Sequence, residues 1–319
     1  MIKLLPVLVL SCLVFECPVG GAPAAEPQSP VSTAPARADF VVLPGPTNAV
    51  QFRLYTNASP DSAHVFNTFD LEAYGERLLQ SPGRNTLKGG LATSPSNASL
   101  HCILVDGEGA NPGSTNNMTV VEQASGPDWR YIGLDASAAY RGRLEQYRRA
   151  ILFIEPDLFV IHDHLVAKKP SQFQMVLHPP AATQVDDIWR DLRLDLPKGG
   201  FRIHTPGTKK SPRSWERVES AEDPLFPGTV TMQIGPTNKL AALDLVTVFA
   251  IHRGGEKKDY VFKLLESNNA IGARIHREGL PTLVAFKTDP VGQRASLTGF
   301  AFTGPVGVDV FKPKGRGLK

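Results

Sequence analysis

Eight histidines are spread over 319 residues, and five of them sit where imidazole chemistry could operate. His64 stands ahead of the alternating segment Phe69 to Tyr74, and His101 opens the apolar run Cys102 to Val105. An imidazole titrating near neutrality suits general acid–base work. Imidazoles gathered with a carboxylate suit zinc, which takes about four N, O or S ligands near 2 Å. Each has a plainer reading, His64 as a strand-edge residue without a role and His101 as a hydrogen-bonded structural histidine. His162-Asp163-His164 resembles a chelating triplet, but on a strand the two histidines share one face and the aspartate takes the other. His178, after an apolar strand, reads as structural. Tyr140, Tyr147, Arg148 and Arg149 fall in one short segment. Arginine clamps a carboxylate or other oxyanion in bidentate fashion, and tyrosine offers a flat apolar ring with a hydroxyl at its tip. Their alternative reading is a half-buried pair plus surface charge. Cys102, inside an apolar strand, reads as an inert small hydrophobe rather than a nucleophile. Asp106-Gly107-Glu108-Gly109 follows a strand without opening a helix, so neither a dinucleotide nor a P-loop reading applies.

The elements that must position these residues are strands. From Phe40 onward helical periodicity is almost absent, and short β-type runs alternate with turn signals. The runs include Ala49 to Tyr55, Phe69 to Tyr74, Leu100 to Val105, Arg149 to Glu155, Leu158 to Val166 and Phe173 to His178. Thr229 to Ile234, Leu245 to His252, Asp259 to Leu265 and Thr282 to Phe286 continue the rhythm. Phe69, Leu71 and Ala73 alternate with Asp70, Glu72 and Tyr74, a period of two that buries one face. The one helix candidate is Ala136 to Arg149, which reads equally as a loop feeding a strand. The expected fold is all-β, a large antiparallel β-sandwich of supersandwich type. No internal repeat and no second domain is evident.

Composition narrows the function classes. Lys and Arg total 34 against 31 Asp and Glu, a formal charge of +3, too even for a nucleic-acid groove. With 42% hydrophobic and 20% charged residues, the chain can bury a core. Lys3, the apolar run Leu4 to Phe15 and the small residues Ala22 and Ala24 read as a signal peptide over 1–24. That run is too short for a permanent span of about 30 Å of hydrocarbon, so no membrane span is expected after cleavage. A lipoprotein reading would need Cys12 or Cys17 at a lipobox, and Glu16 before Cys17 fits one poorly. Residues 25–39 read as a flexible linker and 40–319 as the folded domain, in a secreted or periplasmic protein. Three Asn-x-Ser/Thr sites, at Asn57, Asn97 and Asn117, matter only in a host that glycosylates exported proteins. Lys209, Lys210 and Arg213 form a short basic loop patch.

Several segments, in order, resemble the C-terminal β-sandwich of the heparinase II/III-like polysaccharide lyases. They are Phe69 to Leu78 with the turn Ser81-Pro82-Gly83, Leu100 to Gly109, Asp135 to Tyr140, and Arg148 to Phe153 with Pro156 to Asp163. The resemblance covers roughly 49–180 and continues beyond only as strand rhythm. It implies an exported protein acting on acidic polysaccharide, by β-elimination if catalytic, with His64 or His101 near the abstracted proton and Arg148 or Tyr140 near the uronate. It also implies a zinc site, for which His101 and His64 are the candidates. Counting back from Ile103, the family's ligand histidine falls on Leu100, so His101 is one place late, and His64 is displaced likewise. Ser81 replaces the family's aspartate, a much poorer ligand. A one-residue shift turns a strand side chain to the other face. The family's helical toroid, which supplies much of the sugar cleft, has no counterpart in the linker-like residues before the first strand. A separate chain would have to supply it. The competing expectation is a non-catalytic carbohydrate- or partner-binding sandwich.

Overall fold

The structure, a computed structural model, describes residues 40–44, 49–55, 68–79, 101–110, 118–186, 191–207, 213–218, 228–256, 260–277, 280–288 and 294–310. All fall within one compact unit, residues 34–319. The signal-peptide and linker segments lie outside the described residues, as do His64, Ser81, Leu100, Lys209, Lys210 and the three asparagines of the Asn-x-Ser/Thr sites.

The central element is an eight-stranded antiparallel sheet. Its spatial order is β11 (Gln184–Asp186), β12 (Asp191–Asp195), β13 (Gly199–His204), β16 (Leu240–Arg253), β9 (Leu158–Ser171), β8 (Leu144–Ile154), β7 (Trp129–Asp135) and β6 (Thr119–Gly126). One face carries two four-stranded sheets. The first is β1 (Phe40–Pro44), β2 (Val50–Tyr55), β3 (Thr68–Ala73) and β4 (Glu76–Leu79). The second is β14 (Arg213–Val218), β15 (Thr231–Pro236), β10 (Phe173–Leu177) and β5 (Ile103–Val105). The opposite face carries a C-terminal sheet of β17 (Tyr260–Glu266), β18 (Ala270–Arg277), β19 (Leu280–Lys287) and β22 (Val306–Val310). A ribbon of β20 (Ala295–Leu297) and β21 (Phe300–Phe302) packs on its outer side.

Strand alternation explains the layering. Along β8 and β9, Tyr147, Ile151, Phe153, Phe159, Ile161 and Leu165 enter the larger core beneath the two N-terminal sheets. The intervening Ala150, Leu152, Ile154, Leu158 and Val160 enter a second core against the C-terminal sheet. These middle strands are buried on both faces, which is why they read as continuous apolar runs rather than as a clean alternation. Edge strand β6, covered on one side, alternates exposed and half-buried residues throughout. Asp106 and Gly107 both take positive φ, 52° and 83°, the conformation that tight hairpin turns demand and that Asp-Gly supplies at low cost. The helix candidate resolves as its alternative: a single 3-10 turn, Ser137–Tyr140, leads into β8.

Candidate functional site

The register of the central sheet lines up Asp244 of β16, His164 of β9, Arg148 of β8 and Asp135 of β7 across four neighbouring strands. One pleat further along, Val246, His162, Ala150, Gly133 and Glu122 form the adjacent row. Both rows face the C-terminal sheet, since Val246 and Ala150 belong to that core. The small residues Ala150 and Gly133 leave a hollow. A cleft of about 230 Å³ lies there, roofed by Phe286, Lys287, Thr288, Thr303 and Pro305 from the C-terminal sheet and its β21–β22 loop. A methyl group added at Gly133 would come within 2.9 Å of the Tyr131 hydroxyl and 3.0 Å of Glu122 Oε2. Glycine is therefore what leaves room for the Tyr131–Glu122 hydrogen bond of 3.0 Å at the cleft wall.

The electrostatics of the cleft follow from these pairings. Asp244 Oδ1 accepts from His162 Nε2 at 2.8 Å and from His164 Nδ1 at 2.9 Å. Burial alone would raise the Asp244 carboxyl, but the hydrogen bonds and charge of the two imidazoles outweigh it and hold the group well below the usual carboxylate range. The carboxylate fixes the tautomers: His164 Nε2 and His162 Nδ1 remain for other partners. His164 is the more open, at 20% side-chain exposure against 5% for His162. Burial, then the charge and hydrogen bond of Glu122, push the Tyr131 phenol well above its ordinary range, so it stays a neutral donor. Lys287 Nζ donates to the Thr303 carbonyl at 2.6 Å. Arg148 Nε is shut off from solvent with no hydrogen-bond partner among the described residues. A buried donor left unsatisfied costs about 1–3 kcal/mol.

The neighbouring residues have other roles. Arg149 leaves the sheet on the opposite face and is fully buried with Asp163, Nε to Oδ1 at 2.7 Å and Nη2 to Oδ2 at 3.1 Å. Tyr147 donates to the same Asp163 Oδ1 at 3.0 Å. Tyr140, fully buried, donates its hydroxyl to the Ile103 carbonyl at 2.8 Å and meets Tyr147 edge-on. The Tyr140 phenol is thus engaged within the core, apart from the cleft that Arg148 lines. The alternation argued for His162, Asp163 and His164 is realised, with the histidines on one face and the aspartate on the other.

His101 is fully buried, with its ring 5.1 Å from Phe69 and 5.5 Å from His178. His178 Nδ1 shares a hydrogen bond of 3.2 Å with Thr231 Oγ1. Two imidazoles thus meet beneath β3, but no group of three His, Cys, Asp or Glu side chains able to hold a metal forms among the described residues. Zinc wants about four ligands, so the described residues alone do not fit it. His64 and Ser81 lie outside the described residues. Cys102 turns away into a small outer cluster with Leu104 and Val176. Burial pushes its thiol up to about 12, which agrees with an inert side chain.

The sequence reading missed Tyr131, Glu122, Gly133, Asp244 and Lys287. Asp244 carried one signal, a single acid between Leu243 and Leu245 inside a long apolar strand. Its partners lie 80 and 82 residues away, and only the β16–β9 register reveals them.

No helix among the described residues is long and apolar enough to cross a membrane. No protein-family model matches the sequence, and no curated protein matches it. Solved structures do. The heparan sulfate lyase HepC from Pedobacter heparinus superposes with a TM-score of 0.59 at 11% identity, over 76% of this chain and 40% of the lyase. A heparinase III with methylated lysines gives 0.62 at 12% identity, over 82% and 42%. A further heparinase III gives 0.57 at 13% identity, over 75% and 39%. The chain spans about two fifths of the length of the lyases it matches. It carries a β-sheet fold shared with heparinase III, in agreement with the resemblance read from residues 69–163.

Proposed function

We propose that this chain is an exported, polysaccharide-lyase-like module that engages acidic polysaccharide, holding a carboxylate or sulfate in the Arg148 cleft. The observation that carries the reading is the buried, unpartnered Arg148 Nε in a hollow whose roof adds the Lys287 ammonium. Guanidinium favours planar anions, and the low local dielectric strengthens the contact. His164 stands on the same wall, directly across the strands from Arg148. Support for the substrate class comes from the shared fold, since one matched structure is a heparan sulfate lyase. The test is calorimetric titration with heparan sulfate oligosaccharides and with neutral gluco-oligosaccharides of equal length. The reading expects binding of the acidic series alone, weakened at least tenfold by Arg148→Met. Equal binding of both series, or an indifferent R148M variant, would remove it.

A second reading, turnover in the same cleft, is favoured by the direct cross-strand pairing of His164 with Arg148. Asp244 orients His164 through Nδ1 and leaves Nε2 as a base. With the uronate carboxylate on Arg148, Nε2 would take the C5 proton, the C4–O4 bond would break as C4=C5 forms, and the imidazolium would return the proton to the departing O4. The reading expects an unsaturated-uronate absorbance to grow with substrate, and His164→Gln to abolish it while binding persists. Absence of that chromophore across a panel of acidic polysaccharides would leave binding as the function.

A further inference from the structure

The outer side of the C-terminal sheet carries a groove of about 500 Å³ that is separate from the Arg148 cleft. Its floor is set by register. Lys263, Arg274, Leu283 and Asp309 form one row across β17, β18, β19 and β22, and Val261, His276 and Pro281 form the next. The β20–β21 ribbon makes one wall, anchored by Leu297 and Phe302 against Leu265, Leu283 and Ala285. Its tip, Thr298 and Gly299, and the ring of Phe300 line the groove with Arg274, His276 and Asp309.

Three features distinguish this groove from an ordinary wet sheet face. First, among the described residues no hydrogen bond or ion pair engages the side chains of Arg274, His276 or Asp309, although opposite charges share one row. Second, the ring of Phe300 is held in place. It is stacked on Phe302 at 5.9 Å, and a methyl group added at Gly307 would come within 2.5 Å of its ring. Third, Thr298 holds φ at +49° beside Gly299 at +86°. A β-branched residue rarely accepts that conformation, and strain of this kind gathers at binding sites.

We propose that this groove is a second saccharide site, in which a pyranose ring packs on Phe300 while its hydroxyls meet Asp309 and its carboxylate meets Arg274. An aromatic ring offers a flat apolar surface to the C–H face of a sugar. A carboxylate accepts from vicinal hydroxyls, and a guanidinium donates to a uronate in bidentate fashion. A groove of this volume falls in the range of small-ligand sites, about 300–1,000 Å³.

The experiment titrates the full chain, in the R148M background, with a uronate-containing oligosaccharide and a neutral gluco-oligosaccharide. The proposal expects one remaining binding step per chain, seen with the uronate ligand and absent with the neutral one. Phe300→Ala and Arg274→Met should each weaken that step at least tenfold, and Phe300→Tyr should retain it. R274M changes only a half-exposed head, so its loss of binding cannot be assigned to misfolding. No binding left in R148M, or binding untouched by both F300A and R274M, would overturn the second site. If R148M loses nothing while F300A and R274M lose everything, the Arg148 reading falls and the outer groove stands.

Discussion

Arg148 and Arg149 are adjacent in sequence and opposite in consequence, which makes them a paired test of the whole arrangement. The Asp163 carboxylate, fully buried, accepts from Arg149 Nε, Arg149 Nη2 and the Tyr147 hydroxyl. Burial works against the Arg149 charge, but Asp163 beside it outweighs burial and holds the guanidinium protonated. Arg149→Met leaves that buried carboxylate with one neutral donor. Breaking such a pair by removing one partner costs about 3–5 kcal/mol. At about 2–3 °C per kcal/mol for a body of this size, R149M should melt about 6–15 °C below the wild type. R148M removes no ion pair and deletes a buried, unpartnered Nε. Its melting temperature should stay within about 2 °C of the wild type, as for substitutions that touch no packed network. Differential scanning calorimetry of both variants reads this directly. A double variant, Arg149→Met with Asp163→Leu, should recover most of the loss, because apolar replacement of a buried pair is often neutral. Melting of R149M at the wild-type temperature, or an R148M loss as large as that of R149M, would refute the assignment of the two side chains to opposite faces.

Three further outcomes are expected. Asp244 is held below its unfolded value, near 3.9, so its stabilising contribution is present above that pH and lost on acidification below it. Asp244→Asn should therefore flatten the acid limb of stability below about pH 4 in urea titrations, and parallel curves for variant and wild type would contradict the shared-carboxylate geometry. Gly133→Ala should leave the fold intact, because the two nearest atoms met are the tips of Tyr131 and Glu122, with Glu122 Cβ next at 3.2 Å, while narrowing the cleft and weakening acidic-saccharide binding severalfold in calorimetry. Cys102, buried with its thiol near 12, should stay unmodified by iodoacetamide at pH 8 in the native chain and react fully in denaturant, as peptide mass mapping would show.

Much of the fold was legible because alternation and turn chemistry are local. The run Phe69 to Tyr74 appears as β3, and the long apolar runs at 158–166 and 245–252 lie in β9 and β16. Strands that are short or weakly apolar were not legible. The edge strand β6, the five-residue β12 with two leucines among charges and the β13 that opens on Gly199-Gly200 draw their conformation from neighbours rather than from propensity. The site was legible only in part. The opposite-face rule separated Asp163 from His162 and His164 correctly, since it rests on the pleat alone. The place of Tyr140, whose hydroxyl reaches the carbonyl of Ile103 37 residues upstream, was not legible locally, and the Asp244 bridge depends on a strand pairing more distant still. Local patterns tell which face a residue takes. Which sheet covers that face is a tertiary fact.

Whether the Arg148 cleft receives the acidic group of a saccharide is decided by a crystal structure of the chain with a uronate-containing disaccharide. The expected density places a carboxylate or sulfate oxygen within hydrogen-bond distance of the Arg148 guanidinium, with the His162–Asp244–His164 bridge intact. Saccharide density elsewhere with the Arg148 cleft vacant, or an Arg148 side chain swung out to solvent, would contradict it.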